Sequence, residues 1–236
     1  MKIALLRVGI DSGSGGIHAP LFADGSFEFI PIPDDFGLDR RTYGNTRGRF
    51  MPSLLDYFPE RMKARMANQS VHYDPEFETF TYGDPTSPKA GLRRLEQGDL
   101  LVFYGGLQGF DHVSPPELYL IGYFEVMLAG IASHLSDSAI DLCRANFHVI
   151  HQSVFARQKT RLILIKGGDG SRLFNRAVRI SSTGTNRLGK PLKILSPKMA
   201  GIFGSFGGKE SIQRSNPRWV SDGHIGTASH FVRGLY

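Results

Sequence analysis

Two short stretches hold side chains able to do chemistry together. In Ser70-Val-His-Tyr-Asp-Pro-Glu-Phe77, His72 and Asp74 stand two residues apart. On extended chain, alternate side chains project to one face. The Asp74 carboxylate would then sit beside the His72 imidazole, orient it and raise its basicity, which suits general acid–base catalysis. The same letters also read as an Asp-Pro turn with a partly exposed histidine. In Asn146-Phe-His-Val-Ile-His151, two histidines lie three apart. On a helix they would share a face and could chelate a metal ion. Asn146, coming after a helix, argues instead for extended chain, where that spacing means opposite faces. His148 then serves as a single catalytic or base-contacting histidine. A metal would need a third ligand from His224 or His230, and no such distance is fixed by spacing, so no metal ligand is assigned.

A third stretch, Gly9 to Pro20, is rich in glycine and follows the apolar run Lys2–Val8. Amides in such a turn can point at an anion. Ser12 with the amides of Gly13, Gly15 and Gly16 then reads as a phosphate cradle, and Asp11 as a general base or substrate-orienting group. A P-loop needs Lys-Ser or Lys-Thr after its glycines, and none is present. A dinucleotide fingerprint needs a helix next, whereas Ala19-Pro20 and a strand follow. The choice left open is a functional strand-end loop or a structural bend. Arg172 and Arg176, after the glycine turn 167–170, are candidate phosphate contacts, though a solvated edge strand accounts for them equally well. Tyr104, Tyr123 and Trp219 are candidates to stack on an extruded base. A lone tryptophan also commonly closes a core.

The elements that must position these residues follow from local pattern. Residues 2–8 read as a buried strand, Asp24-Gly25 as a turn, and residues 26–30 as a returning strand ended by Pro31 and Pro33. Residues 34–52 lack a period and read as a long loop. Ser53 caps a helix to about Ala67, interrupted by Pro59. Ser87-Pro88 starts another, stopped by Gly98. Leu100–Tyr104 and Tyr119–Met127 are apolar strands, and Ser136 caps a short helix. Residues 161–166 and 176–181 are further strands, and the last forty residues offer few strong elements. Strands outnumber helices without βαβ alternation. The expected fold is α+β, with a mixed or antiparallel, partly closed sheet and a few peripheral helices, in a single domain over 1–236.

Composition bounds the function. The chain has 236 residues and 41% hydrophobic content, enough for a core without staples. Its single cysteine, Cys143, excludes a disulfide framework and a CxxC zinc site. No window approaches the apolar length of a membrane helix, and no signal peptide is recognisable. A cytoplasmic protein with no membrane partner is expected. The net charge of +6, with arginines in local groups, suits an anionic partner such as nucleic acid or nucleotide. An ordinary basic surface is the alternative.

Two resemblances add to this. The run Leu95-Glu-Gln-Gly-Asp-Leu-Leu-Val-Phe-Tyr-Gly-Gly-Leu107, with Ile121-Gly-Tyr-Phe-Glu-Val126, resembles the core of PUA-like domains of the ASCH and EVE groups. That resemblance implies a small barrel that binds RNA or modified bases. The ordered set of residues 5–34, His72-Tyr-Asp-Pro-Glu-Phe77, Gly98–Leu107, Leu120–Val126 and Asn146–His151 resembles the nucleotide modification associated domain 3 family. The resemblance implies a part in modifying bases or nucleotides, in bacterial and phage DNA-modification systems. Its carried-over polar positions are Asp11, Ser12, Asp24, His72, Asp74, Asp99 and His148. Ile17-His-Ala-Pro20 and Glu76-Phe77 depart from the family pattern. The expected function is an enzyme performing group transfer or hydrolysis on a base or nucleotide, its cofactor unspecified. The alternatives are a non-catalytic reader of modified bases and an interaction subunit working with other modification-system proteins.

Overall fold

Ile3 to Leu6 are apolar at consecutive positions because the strand they form is buried on both faces, the pattern of a central strand. The computed structural model describes residues 1–186, 188–206, 208 and 211–235. Strand β1 (Ile3–Arg7) leads through the glycine-rich turn into β2 (Ala19–Leu21) and then β3 (Ile32–Pro33). A long irregular stretch precedes a 3-10 turn, Leu54–Tyr57, and helix α1 (Glu60–Met66). Strands β4 (Val71–His72) and β5 (Thr81–Asp84) follow. A 3-10 helix, Ser87–Arg94, enters the long pair β6 (Leu100–Gly109) and β7 (Glu117–Ile131). Next come α2 (Asp137–Asp141), α3 (Phe147–Ile150) and α4 (Gln152–Gln158). Strands β8 (Ile163–Gly167), β9 (Arg172–Arg179), β10 (Ser181–Thr185) and β11 (Pro191–Leu195) continue the chain. It ends with α5 (Pro197–Phe203), β12 (Arg218–Trp219) and α6 (Ile225–Arg233).

The fold is α+β around an eight-stranded mixed sheet of order β12-β1-β6-β7-β8-β5, with β2 also on β6 and β9 also on β7. β1 and β2 run parallel to β6, and the other pairings are antiparallel. The terminal strands β12 and β5 do not pair among the described residues, so the sheet is not a closed barrel, and the PUA-like core expected from the β6–β7 sequence does not follow from it. β10–β11 and β3–β4 form separate two-stranded sheets. Phe103 and Phe124 meet edge to face at 4.6 Å across β6 and β7, with Phe77 against both. Each such buried ring contributes roughly 1.5–3 kcal/mol.

Some expected elements change form. The helix expected from Ser53 to Ala67 splits, because Pro59 carries no amide hydrogen and its extended backbone makes it the start of α1. Residues 26–30 are not a strand; only Phe27 bridges back to Leu21, and Ile30 serves β1's extension through a single bond to the Ile10 amide. The strand expected at 176–181 is two, since the chain leaves the large sheet at Ile180 for the β10–β11 hairpin. Where few strong elements were expected, the described C-terminal residues hold helices: Ser196 caps α5 with Pro197 at its first turn, a start signal that was present in the letters. Among the described residues, no helix is long and apolar enough to cross a membrane.

Candidate functional site

His72 ends the short strand β4, which pairs with β3 so that Ile32 stands opposite it. Its ring stacks on Phe147 at 3.9 Å between centroids. Asp74 lies just past the strand, and His148 sits in the first turn of α3. The three come together: His148 Nε2 is 3.3 Å from Asp74 Oδ2, and His72 Nε2 is 3.8 Å from the same oxygen. Their side chains are 14%, 6% and 4% exposed for His72, Asp74 and His148. One ligand-capable atom from each lies within 4.8 Å of the others, a spacing open to a metal ion.

The surroundings fix each member. Both carboxylate oxygens of Asp74 accept from the Gly83 amide of β5, at 2.9 and 3.0 Å. Asn146 donates from Nδ2 to Asp74 Oδ1 at 3.4 Å, while its own side-chain oxygen accepts from the His148 amide and caps α3. Gln158, at the end of α4, accepts from His148 Nδ1 through Oε1 at 2.7 Å. That bond places the proton on Nδ1, so in a neutral ring Nε2 keeps the lone pair facing Asp74. Gly83 is required here for close approach: a Cβ would stand 2.7 Å from Asn146 Oδ1 and 2.9 Å from His148 Cδ2. His148 was expected on extended chain; it is helical, because the asparagine read as ending a helix begins one instead.

Charge follows from these contacts. Burial opposes ionisation of Asp74, but the imidazoles of His148 and His72 outweigh it and hold the carboxyl below its usual range. Burial likewise disfavours the His148 cation, yet Asp74 and Gln158 together raise its pKa. Both shifts favour the charged forms, a carboxylate beside an imidazolium, within a buried wall.

That wall opens on a cavity of about 730 Å³, within the usual range for small-molecule sites. Its charged lining is mixed, Arg7, Lys89 and Arg214 with Asp11, Asp74 and Asp84, and Phe36 and Tyr82 give it aromatic lining. The buried Lys89 bonds to Asp84 Oδ2 at 3.1 Å, where the Tyr82 hydroxyl also donates at 3.1 Å. Phe36 is exposed and stacks loosely toward Phe147. Sequence reading passed over Arg7, Lys89, Gly83, Asn146, Gln158 and Phe36. Two of them left a signal: Arg7 is a charge closing an apolar strand, and Lys89 shares helical spacing with the buried Leu92.

Asp11 lines the same cavity but is differently engaged. It bonds Arg7 Nη2 at 3.0 Å and accepts from the amides of Gly13 and Ser14, each at 2.8 Å. Burial works against its charge, but Arg7 and those amides hold its pKa low, which makes it a poor base. The expected phosphate cradle is also corrected. The Gly13 amide is taken by the Asp11 side chain, and those of Gly15 and Gly16 by the Asp11 carbonyl, so the turn closes on itself. Ser12 is exposed and not part of the cavity lining.

The expected stacking residues are elsewhere. Tyr104 and Tyr123 are fully buried in the sheet, Tyr104 donating to the Ile212 carbonyl at 2.9 Å, so neither can meet a base. Trp219 pairs on β12 with Arg94 4.5 Å over its ring, in a separate shallow cavity beside Met1 and Lys2. Arg172 lies on β9 by the Tyr123 ring and Arg176 packs beside Gly25; neither lines the 730 Å³ cavity. Asp24 caps its turn through Ser26, and Asp99 accepts from the amides of Lys2, which leads into β1, and of Glu96, so both are structural braces. His224 bonds Ser221, and neither it nor His230 joins His72, Asp74 and His148. Searches of curated proteins and of solved structures return no match. A family model described as nucleotide modification associated domain 3 matches residues 2–225.

Proposed function

The chain belongs to the nucleotide modification associated domain 3 family, and we propose that it is an enzyme that modifies a nucleobase or nucleotide, with His72, Asp74 and His148 as its reactive centre. One observation carries this reading: a buried carboxylate and two imidazoles, His72 two residues from Asp74 and His148 from a distant segment, converge on the wall of a cavity lined in part by Arg7, Lys89 and Arg214. A structural ion pair needs no cavity and no second imidazole. Perturbed titratable groups gathered in a cleft are the usual physical mark of a reactive site.

The cavity supplies the rest. Arg214, with Arg7 beside its partner Asp11, supplies positive charge for a phosphate group, and the half-exposed Phe36 ring, with Arg157 5.8 Å over it, offers a stacking surface for a base. Asp74, held ionised, orients the imidazoles, and all three residues line the cavity in which a substrate would sit. The chemistry fitting this set is group transfer or hydrolysis. A non-catalytic reader would instead be expected to ring its pocket with the aromatic residues that lie buried in the sheet.

The test is nucleoside mass spectrometry of DNA and of the free nucleotide pool from the host, carrying the wild-type chain or Asp74→Asn. The proposal expects a nucleoside whose level depends on the wild-type chain and is lost with Asp74→Asn. Identical profiles would overturn it.

A further inference from the structure

We propose that His72, Asp74 and His148 form a catalytic binding site for one first-row divalent transition-metal ion. This deepens the enzyme reading and rests on it for the word catalytic, not for the site itself.

The geometry argues for a metal over a hydrogen-bonded network. In a network each polar atom has a partner, yet His72 Nε2 is buried with none among the described residues. At 3.8 Å from Asp74 Oδ2 it is beyond hydrogen-bond distance, although its ring is fixed against Phe147. Bonds of about 2.1 Å in a tetrahedral site put ligand atoms roughly 3.4 Å apart. The observed 3.3 and 3.8 Å to the shared carboxylate oxygen bracket that edge, and all three ligand atoms lie within 4.8 Å of one another.

The outer contacts match as well. A ligating histidine typically donates its other ring N–H to a protein oxygen, as His148 does to Gln158, and a ligating carboxylate is itself hydrogen-bonded, as Asp74 is by Gly83. Two imidazoles and one carboxylate suit iron, zinc, cobalt or manganese better than magnesium or calcium, which favour oxygen ligands. Three protein ligands beside an open cavity leave further positions free, the mark of a catalytic site rather than a closed structural one.

The experiment is a titration of the full chain, stripped with EDTA and dialysed, with Co²⁺ followed by visible absorption and calorimetry. The expected result is saturation at one equivalent for the wild type. His72→Ala, Asp74→Ala and His148→Ala should each weaken binding at least about 100-fold, and Gln158→Ala about 10–100-fold. His224→Ala and His230→Ala should bind as the wild type does. The wild type alone is decisive should a variant fail to fold: no saturable one-equivalent binding overturns the proposal, as does wild-type affinity in all three ligand variants. Because binding is read without turnover, the two readings separate. Nucleoside modification by metal-free protein overturns the metal's catalytic role and leaves the enzyme standing, whereas stoichiometric binding without any modification supports the site and overturns the enzyme.

Discussion

Asp11 and Asp74 line the same cavity, and both carboxyls are held below their usual range, but by opposite means. Asp11 is served by its neighbours: Arg7 four residues before it and the amides of the turn that follows it. Asp74 is served chiefly from other segments, by Gly83 of β5, Asn146 before α3 and His148 within α3, with His72 of β4 its one near neighbour. A locally satisfied carboxylate is a turn brace that places Arg7. A carboxylate satisfied by groups from other segments must be assembled by the fold, and it is the one proposed as part of the reactive centre.

The contrast can be broken most sharply at the ligands. His148→Ala or Asp74→Ala should lower turnover by about 10²–10⁴-fold, the range for losing a positioned catalytic group, while Asp11→Ala should keep activity within about tenfold in the same nucleoside assay. Gly83→Ala tests the scaffold behind Asp74. Its new methyl would crowd Asn146 and His148, so urea unfolding should show a loss of about 1–3 kcal/mol, with turnover falling too. Phe36→Ala should raise KM by roughly 5–100-fold with kcat little changed, from about 1–3 kcal/mol of lost base stacking; an unchanged KM would remove Phe36 from the site.

The smallest effect belongs to Asp11. With its folded pKa below the ordinary value, Asp11 contributes stability that is present above the unfolded pKa, near 3.8, and lost as pH falls through the folded pKa. Asp11→Asn should therefore flatten the acid limb of a thermal-denaturation profile and leave stability above about pH 5 shifted by a constant, about 1 kcal/mol or less. An acid limb identical to the wild type would mean that Asp11 and Arg7 are not coupled.

This difference also explains what could be read in advance. The β6–β7 pair, β1 and the caps at Ser136 and Ser196 are short-range patterns, so their letters carry them. His72 and Asp74 were found together because they are two residues apart. His148 was a candidate beside them, but its contact with Asp74 was not legible, since it depends on α3 packing against β4 and β5, and its partner Gln158 lies at the far end of α4. The glycine-rich turn misled for the complementary reason. Its composition suits an anion cradle, but a nearby aspartate takes up its amides first. Tyr104 and Tyr123 misled because an aromatic on a central strand faces the core more readily than a ligand.

The central claim is that the His72–Asp74–His148 cluster performs the chemistry, and the glycine-rich turn does not. The direct measurement compares host nucleosides by mass spectrometry with the wild-type chain, Asp74→Asn and Asp11→Asn, all expressed at matched levels. The account predicts a modified nucleoside with the wild type and with Asp11→Asn, and its loss with Asp74→Asn. Loss with Asp11→Asn and retention with Asp74→Asn would contradict it.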